Sequence, residues 1–317
     1  MDVHADTLVH ALSTASGPRY CYRHPDRETG LSCSECDRPI CYECMTPAPV
    51  GLRCPEHSGK PQGVQRVVRP AQRSVTGVGS RRMNAVTLTL IGINVAVYLV
   101  ELAMGGSIDG TGNWIFSHGA LLVNGITQAG NVGSIPAHEL APPGFKLVGV
   151  AHGEWWRILT AAFLHYGPLH LGVNMYSLFY AGTLLEHLIG RWRFALLYLA
   201  SGIAGSAGAI LWSPNEVTLG ASGAIFGILG GLFVLERRGH IATGGQIAGL
   251  IVLNLIITFT FSSFISVGAH VGGLIAGVVL MLLLHQYRRS AAMSVAGAIA
   301  VVVISVAIAY SKARGYQ

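Results

Sequence analysis

Apolar and polar positions alternate along this chain on the scale of a membrane. Seven windows of about 20 mostly apolar residues, at about 85–104, 168–189, 192–212, 218–236, 244–262, 266–286 and 291–310, are each long enough to cross a hydrocarbon layer. The pattern predicts an all-α polytopic membrane protein with seven spans. Basic pairs occupy alternate connections, Arg81/Arg82, Arg191/Arg193, Arg237/Arg238 and Arg288/Arg289, while the connections around 213–217 and 262–265 hold no Lys or Arg. The positive-inside rule then places the amino terminus in the cytosol, and the expected location is the plasma membrane. An odd number of spans leaves Lys312 and Arg314 outside, against that rule. Composition excludes an ordinary soluble enzyme, since 51% of residues are hydrophobic and only 11% charged. The net charge of +6 is not gathered on a soluble module, so no nucleic acid is expected as a partner.

The six cysteines fall between positions 21 and 54, which suits a local metal site better than a disulfide framework. They form four ligand pairs, Cys21-x2-His24, Cys33-x2-Cys36, Cys41-x2-Cys44 and Cys54-x2-His57, enough for two tetrahedral zinc ions. With so few large apolar side chains, metal binding would supply the folding energy. Over residues 21–57 the pattern resembles the B-box-type zinc fold. That resemblance implies cross-bracing, the first and third pairs holding one ion and the second and fourth the other; Cys54-x2-His57 stands where a histidine pair is common. Four protein ligands per ion leave no open position, which implies a structural or docking role, and the identity of any cytosolic partner stays open. Thiolates require a reducing compartment, again the cytosol. Residues 1–20 lack a leader and are expected to be disordered. Residues 58–84, with Lys60, Arg66, Arg69, Arg73, Arg81 and Arg82 and no acid, read as a basic flexible linker at the lipid surface.

Polar groups inside spans are costly and mark function. The second predicted span carries His170 and Asn174, four apart and so on one helix face; the fourth carries Ser222 in Gly220-Ala221-Ser222-Gly223; the sixth carries His270. All three spans run from outside to inside, and these groups lie in their first turns, at one shallow depth below the outer face. Glycines at 223, 227 and 231 and at 268, 272, 273 and 277 would let the fourth and sixth helices approach until Ser222 and His270 share a hydrogen bond. A serine hydroxyl needs a base and an imidazole is one; no acid lies nearby, so the pair reads as a dyad. His170, Asn174 and the Ser222 N–H are the donors an oxyanion requires. Trp155, Trp156 and Arg157, in the long outer loop from about Gly105 to Phe163, suit the headgroup level.

Gly220-Ala221-Ser222-Gly223, the Gly-Ala-His-Val-Gly-Gly run around His270, His165-x4-His170-x3-Asn174 and Trp156-Arg157 together resemble the signatures of rhomboid intramembrane serine proteases, over about residues 85–290. The resemblance implies a six-helix catalytic core, a seventh helix at 291–310 followed by a tail at 311–317, and cleavage of substrates in or beside their transmembrane segments without a cofactor. It also implies oxyanion roles for His170 and Asn174 and a supporting one for His165. Phe226 stands where many members carry a tyrosine against the catalytic imidazole. Two rivals remain at this stage. One is a non-catalytic rhomboid-like protein that binds membrane proteins. The other is a metal or haem protein using His118, His138, His152, His165, His170 and His270.

Overall fold

The computed structural model describes residues 17–48, 51–58, 84–128, 131–137, 139 and 141–316. Almost all of the linker, and His138, lie outside the described residues. The chain divides into two compact units, 1–81 and 82–317.

In the first unit, β1 (Tyr20–Cys21) pairs with β2 (His24–Glu28) and β3 (Thr46–Pro47) with β4 (Leu52–Arg53), both antiparallel, before the single turn α1 (Pro55–Ser58). Tyr20 thus already belongs to a hairpin rather than to a disordered start. The interior consists of Cys21, Cys33, Cys41, Cys44 and Cys54 around one aliphatic side chain, Ile40. So small an apolar core cannot offset the entropy of ordering the segment. Ion pairs Arg27–Glu43, Arg38–Glu56 and Arg53–Glu35 lie on the exposed surface and contribute little.

The second unit opens with α2 (Ala85–Ala103). Its first N–H groups, on Val86 and Thr87, donate to the Glu186 carboxylate at 3.1 and 2.8 Å, an acid supplied from 100 residues away to the positive end of a helix. The long connection that follows is folded. It contains α3 (Trp114–Gly119) and a three-stranded antiparallel sheet of β5 (Gly125–Gln128), β6 (Asn131–Ser134) and β7 (Lys146–Val148) in the order β6-β5-β7. The all-α expectation is corrected here, because strands of three and four residues in a Gly-rich stretch leave no periodic trace. Arg157, in α4 (Arg157–Thr160), is fully buried rather than at a headgroup surface. Its guanidinium donates to Ala120 O at 2.6 Å, Ser117 O at 2.7 Å and Glu154 Oε2 at 2.7 Å, stitching the connection together.

Helix α5 (Gly167–Ser177) runs through a five-residue π-turn, Leu178–Gly182, into α6 (Thr183–Ile189). Then come α7 (Arg191–Trp212), α8 (Ser222–Arg237), α9 (Gln246–Thr260), α10 (Val267–Gln286) and α11 (Ala291–Arg314). Helix α10 packs mainly on α7 and α8, and α11 lies against α7. The tail expected after 310 is helical as far as Arg314, whose guanidinium sits 5.0 Å from the Tyr310 ring centre. Among the described residues, four helices are long and apolar enough to cross a membrane, α2, α7, α10 and α11, and α9 is a shorter apolar helix. The second expected span is present in segments, and the fourth begins at Ser222 instead of 218. Thr218 is held out of the helix by a two-way backbone pairing with Leu121, at 2.9 and 3.0 Å, and Gly220 adopts φ +123°, which no α-helix admits.

Candidate active site

Ser222 is the first residue of α8 and partly exposed; His270 is the fourth residue of α10 and buried. Four residues separate Ser222 from Phe226, so both occupy one face of α8. The Phe226 ring lies flat against the His270 imidazole, centroids 4.1 Å apart and planes at 19°. The helices meet this closely because neither carries a side chain at the contact. A Cβ on Gly223 would stand 3.2 Å from Ala269 O, and one on Gly273 would overlap the Gly223 carbonyl.

A second group of polar atoms gathers over Gly220. A Cβ there would lie 2.8 Å from His170 Cε1, 3.0 Å from His170 Nε2 and 3.7 Å from Asn174 Nδ2. The Gly220 N–H is tied to Ala161 O at 2.9 Å, which fixes the strand of backbone leading to Ser222. His170 Nδ1 accepts the Tyr166 N–H at 3.3 Å, so a neutral ring carries its proton on Nε2, the atom facing Gly220. Asn174 Nδ2 is buried with no acceptor among the described residues. Both nitrogens lie beside the turn that precedes Ser222. His165 is buried edge-on to His170, ring centroids 5.2 Å apart.

The expected hydrogen bond between Ser222 and His270 is not formed among the described residues. The imidazole instead places Nδ1 2.7 Å from the Thr258 hydroxyl on α9. Thr258 escaped sequence reasoning, although a hydroxyl four residues after Asn254 in an otherwise apolar span was its signal. Of the histidines a metal reading would use, His118 meets Trp114 O at 2.9 Å and stacks on the Trp114 ring, and His152 bonds Asn124 at 2.7 Å.

In the first unit the eight donors fall into two groups, Cys21, His24, Cys41 and Cys44, and Cys33, Cys36, Cys54 and His57, with all ligand atoms of a group within 4.8 Å of one another. The pairing is the cross-braced one. In the first group His24 Nδ1 lies 3.3 Å from both Cys41 Sγ and Cys44 Sγ; in the second Cys54 Sγ lies 3.1 Å from His57 Nδ1 and 3.8 Å from Cys36 Sγ. Zinc bonds of about 2.0–2.3 Å imply tetrahedron edges of about 3.5–3.8 Å; the Cys54–Cys36 separation matches, and the three imidazole–thiol separations are shorter by about 0.2–0.4 Å. Burial alone would raise the Cys21 thiol, but hydrogen bonds from the backbone of Cys41, Arg23 and His24 outweigh it and bring it down to about 6, which favours the thiolate a metal needs. Both groups can hold a metal ion.

Residues 152–287 match the family described as Rhomboid domain. Among characterised proteins, "Rhomboid protease GluP" of Bacillus subtilis (strain 168) is 44% identical over 132 residues, covering 40% of this chain but only 26% of that protein. "Putative rhomboid protease YdcA" of the same organism is 39% identical over 158 residues, covering 46% of this chain and 78% of the relative. "Inactive RHOMBOID-like protein 8" of Arabidopsis thaliana is 34% identical over 127 residues, 39% of this chain and 36% of its own length. The residues matched by the family, 152–287, include the small-residue helix contact and its polar groups. With one such relative covered over most of its length, the chain belongs to the rhomboid family.

Proposed function

We propose that this chain is an intramembrane serine endopeptidase that cleaves membrane proteins in or beside their transmembrane segments. In this reading Ser222 Oγ attacks the scissile carbonyl and passes its proton to His270, which returns it to the leaving amine; water then hydrolyses the acyl-enzyme by the same route. The oxyanion is received by His170 Nε2–H, Asn174 Nδ2 and the Ser222 N–H. That N–H lies at the start of α8, where no side chain caps the helix and the helix dipole favours negative charge. His165 supports His170. The dyad hydrogen bond closes when substrate is bound, since catalytic hydrogen bonds are often long in free enzymes. The site opens toward the outer face of the plasma membrane, the amino terminus is cytosolic, and the metal-ligand clusters hold two structural zinc ions in a B-box-like docking module.

The observation that carries this reading is the Phe226 ring face-on to His270, because it holds the imidazole against the very helix face that bears Ser222. A fluorophosphonate probe tests it: labelling lost in both Ser222→Ala and His270→Ala is expected, and labelling equal in both variants and the parent would overturn it. The second reading, a non-catalytic binder of membrane proteins, draws on the 34% identity to a relative named as inactive and on the missing Ser222–His270 hydrogen bond. Absence of any labelling of the parent would favour it.

A further inference from the structure

We propose that Thr258 is a positioning residue that sets the tautomer of His270; this rests on the dyad reading above. Thr258 is buried, and its hydroxyl has two neighbours at hydrogen-bond distance, Asn254 O and His270 Nδ1, both at 2.7 Å. A hydroxyl has one proton to give. A carbonyl oxygen can only accept, so that proton goes to Asn254 O, four residues back on α9. Oγ1 is then an acceptor toward the imidazole, and Nδ1 must carry the ring proton. Nε2 is left with its lone pair, the form a general base requires.

Two contacts thereby fix one ring completely. Phe226 of α8 sets the plane of the imidazole, and Thr258 of α9 sets its rotation within that plane and the nitrogen that is protonated. The hydroxyl occupies the place a carboxylate takes in a triad, without bringing a charge into the membrane. The other titratable groups at this level are His170 on α5, whose Nδ1 is engaged by the Tyr166 N–H, and His165 behind it; among the described residues Thr258 is the hydrogen-bond partner of the His270 imidazole.

The test uses the full chain in detergent or liposomes, with fluorophosphonate labelling and cleavage of a transmembrane reporter followed against pH. Thr258→Val removes the acceptor at nearly constant shape. The labelling rate and kcat are expected to fall about 5- to 100-fold, the effect of stranding a buried N–H, with KM little changed. The acid limb of the pH profile should move to lower pH, because the imidazolium loses an acceptor for its Nδ1–H; a purely structural lesion would lower the plateau without moving the limb. Thr258→Ser should restore rate and limb. A valine variant with parental rate and limb, or a serine variant as slow as valine, overturns the proposal. A parent whose labelling does not depend on Ser222 sinks the dyad reading instead. The tautomer can then still be read from the imidazole 15N spectrum of the unmodified protein, assigned with His270→Ala, which also serves if the valine variant does not fold. A proton on Nδ1 is expected there, and a proton on Nε2 alone overturns the proposal.

Discussion

Substituting Gly220 by alanine adds one methyl group at the point where the backbone and the polar groups are both fixed. The backbone has φ +123° and is tied to Ala161 O at 2.9 Å, so it cannot relax to a conformation that alanine prefers. The added carbon would stand 2.8 Å from His170 Cε1 and 3.0 Å from Nε2, closer than carbon atoms approach without displacement. Backbone strain of this kind costs about 1–3 kcal/mol, and forcing a methyl into a filled site costs about 1–3 kcal/mol more. In the proposed mechanism, moving His170 also removes an oxyanion donor, an effect of about 10²- to 10³-fold on kcat. The assay is cleavage of a transmembrane reporter beside thermal unfolding of the same samples, with Gly220→Ala, His170→Ala and the double variant compared. Deleting the imidazole makes room for the methyl, so the stability loss caused by alanine should shrink in the His170→Ala background by the overlap part, about 1–3 kcal/mol. Parental stability and rate in Gly220→Ala, or strict additivity in the double variant, would refute the reasoning.

Two further outcomes follow from the same packing. Arg157→Ala leaves the buried carbonyls of Ser117 and Ala120 without their donor and the part-buried Glu154 carboxylate with the Gly149 N–H alone, and unfolding measurements should show a loss of about 3–5 kcal/mol; lysine, lacking the fork of donors, should recover only part of it. Elemental analysis should find two zinc ions per chain, one remaining in Cys41→Ser and the other in Cys54→Ser. Chelation should make residues 17–58 protease-sensitive, since metal binding worth about 10–16 kcal/mol is what holds such a module folded.

The parts of this protein that follow from spacing were readable in advance. Spacing gave four Cys/His ligand pairs, whose cross-braced grouping is the one the B-box resemblance implied, and glycines spaced along two spans do mark the contact between α8 and α10. The parts that follow from long-range backbone pairing were not. Nothing local in Leu121 and Thr218 announces that they pair, yet that pairing decides where α8 begins and makes Ser222 its first residue. Arg157 looked like a surface anchor because sequence reports its charge and not the three acceptors that fold around it. The imidazole of His270 has two edges, and helix spacing located the ring without revealing that a hydroxyl from α9 takes one of them.

The wide turn at Leu178–Gly182 takes up one residue more than an α-helix would between the two ends of the segment from Gly167 to Ile189. Before it, His170 and Asn174 are aimed at Gly220; after it, Glu186 is aimed at the first N–H groups of α2. In an α-helix each residue advances the azimuth by about 100°. Deleting one residue from the turn would restore a regular helix that keeps Glu186 on its target, because the turn already takes up one residue more than an α-helix needs, whereas inserting a further residue would swing Glu186 by about 100°. The turn therefore acts as a slack link between the two ends of this segment, and a one-residue deletion there should be tolerated far better than a one-residue insertion.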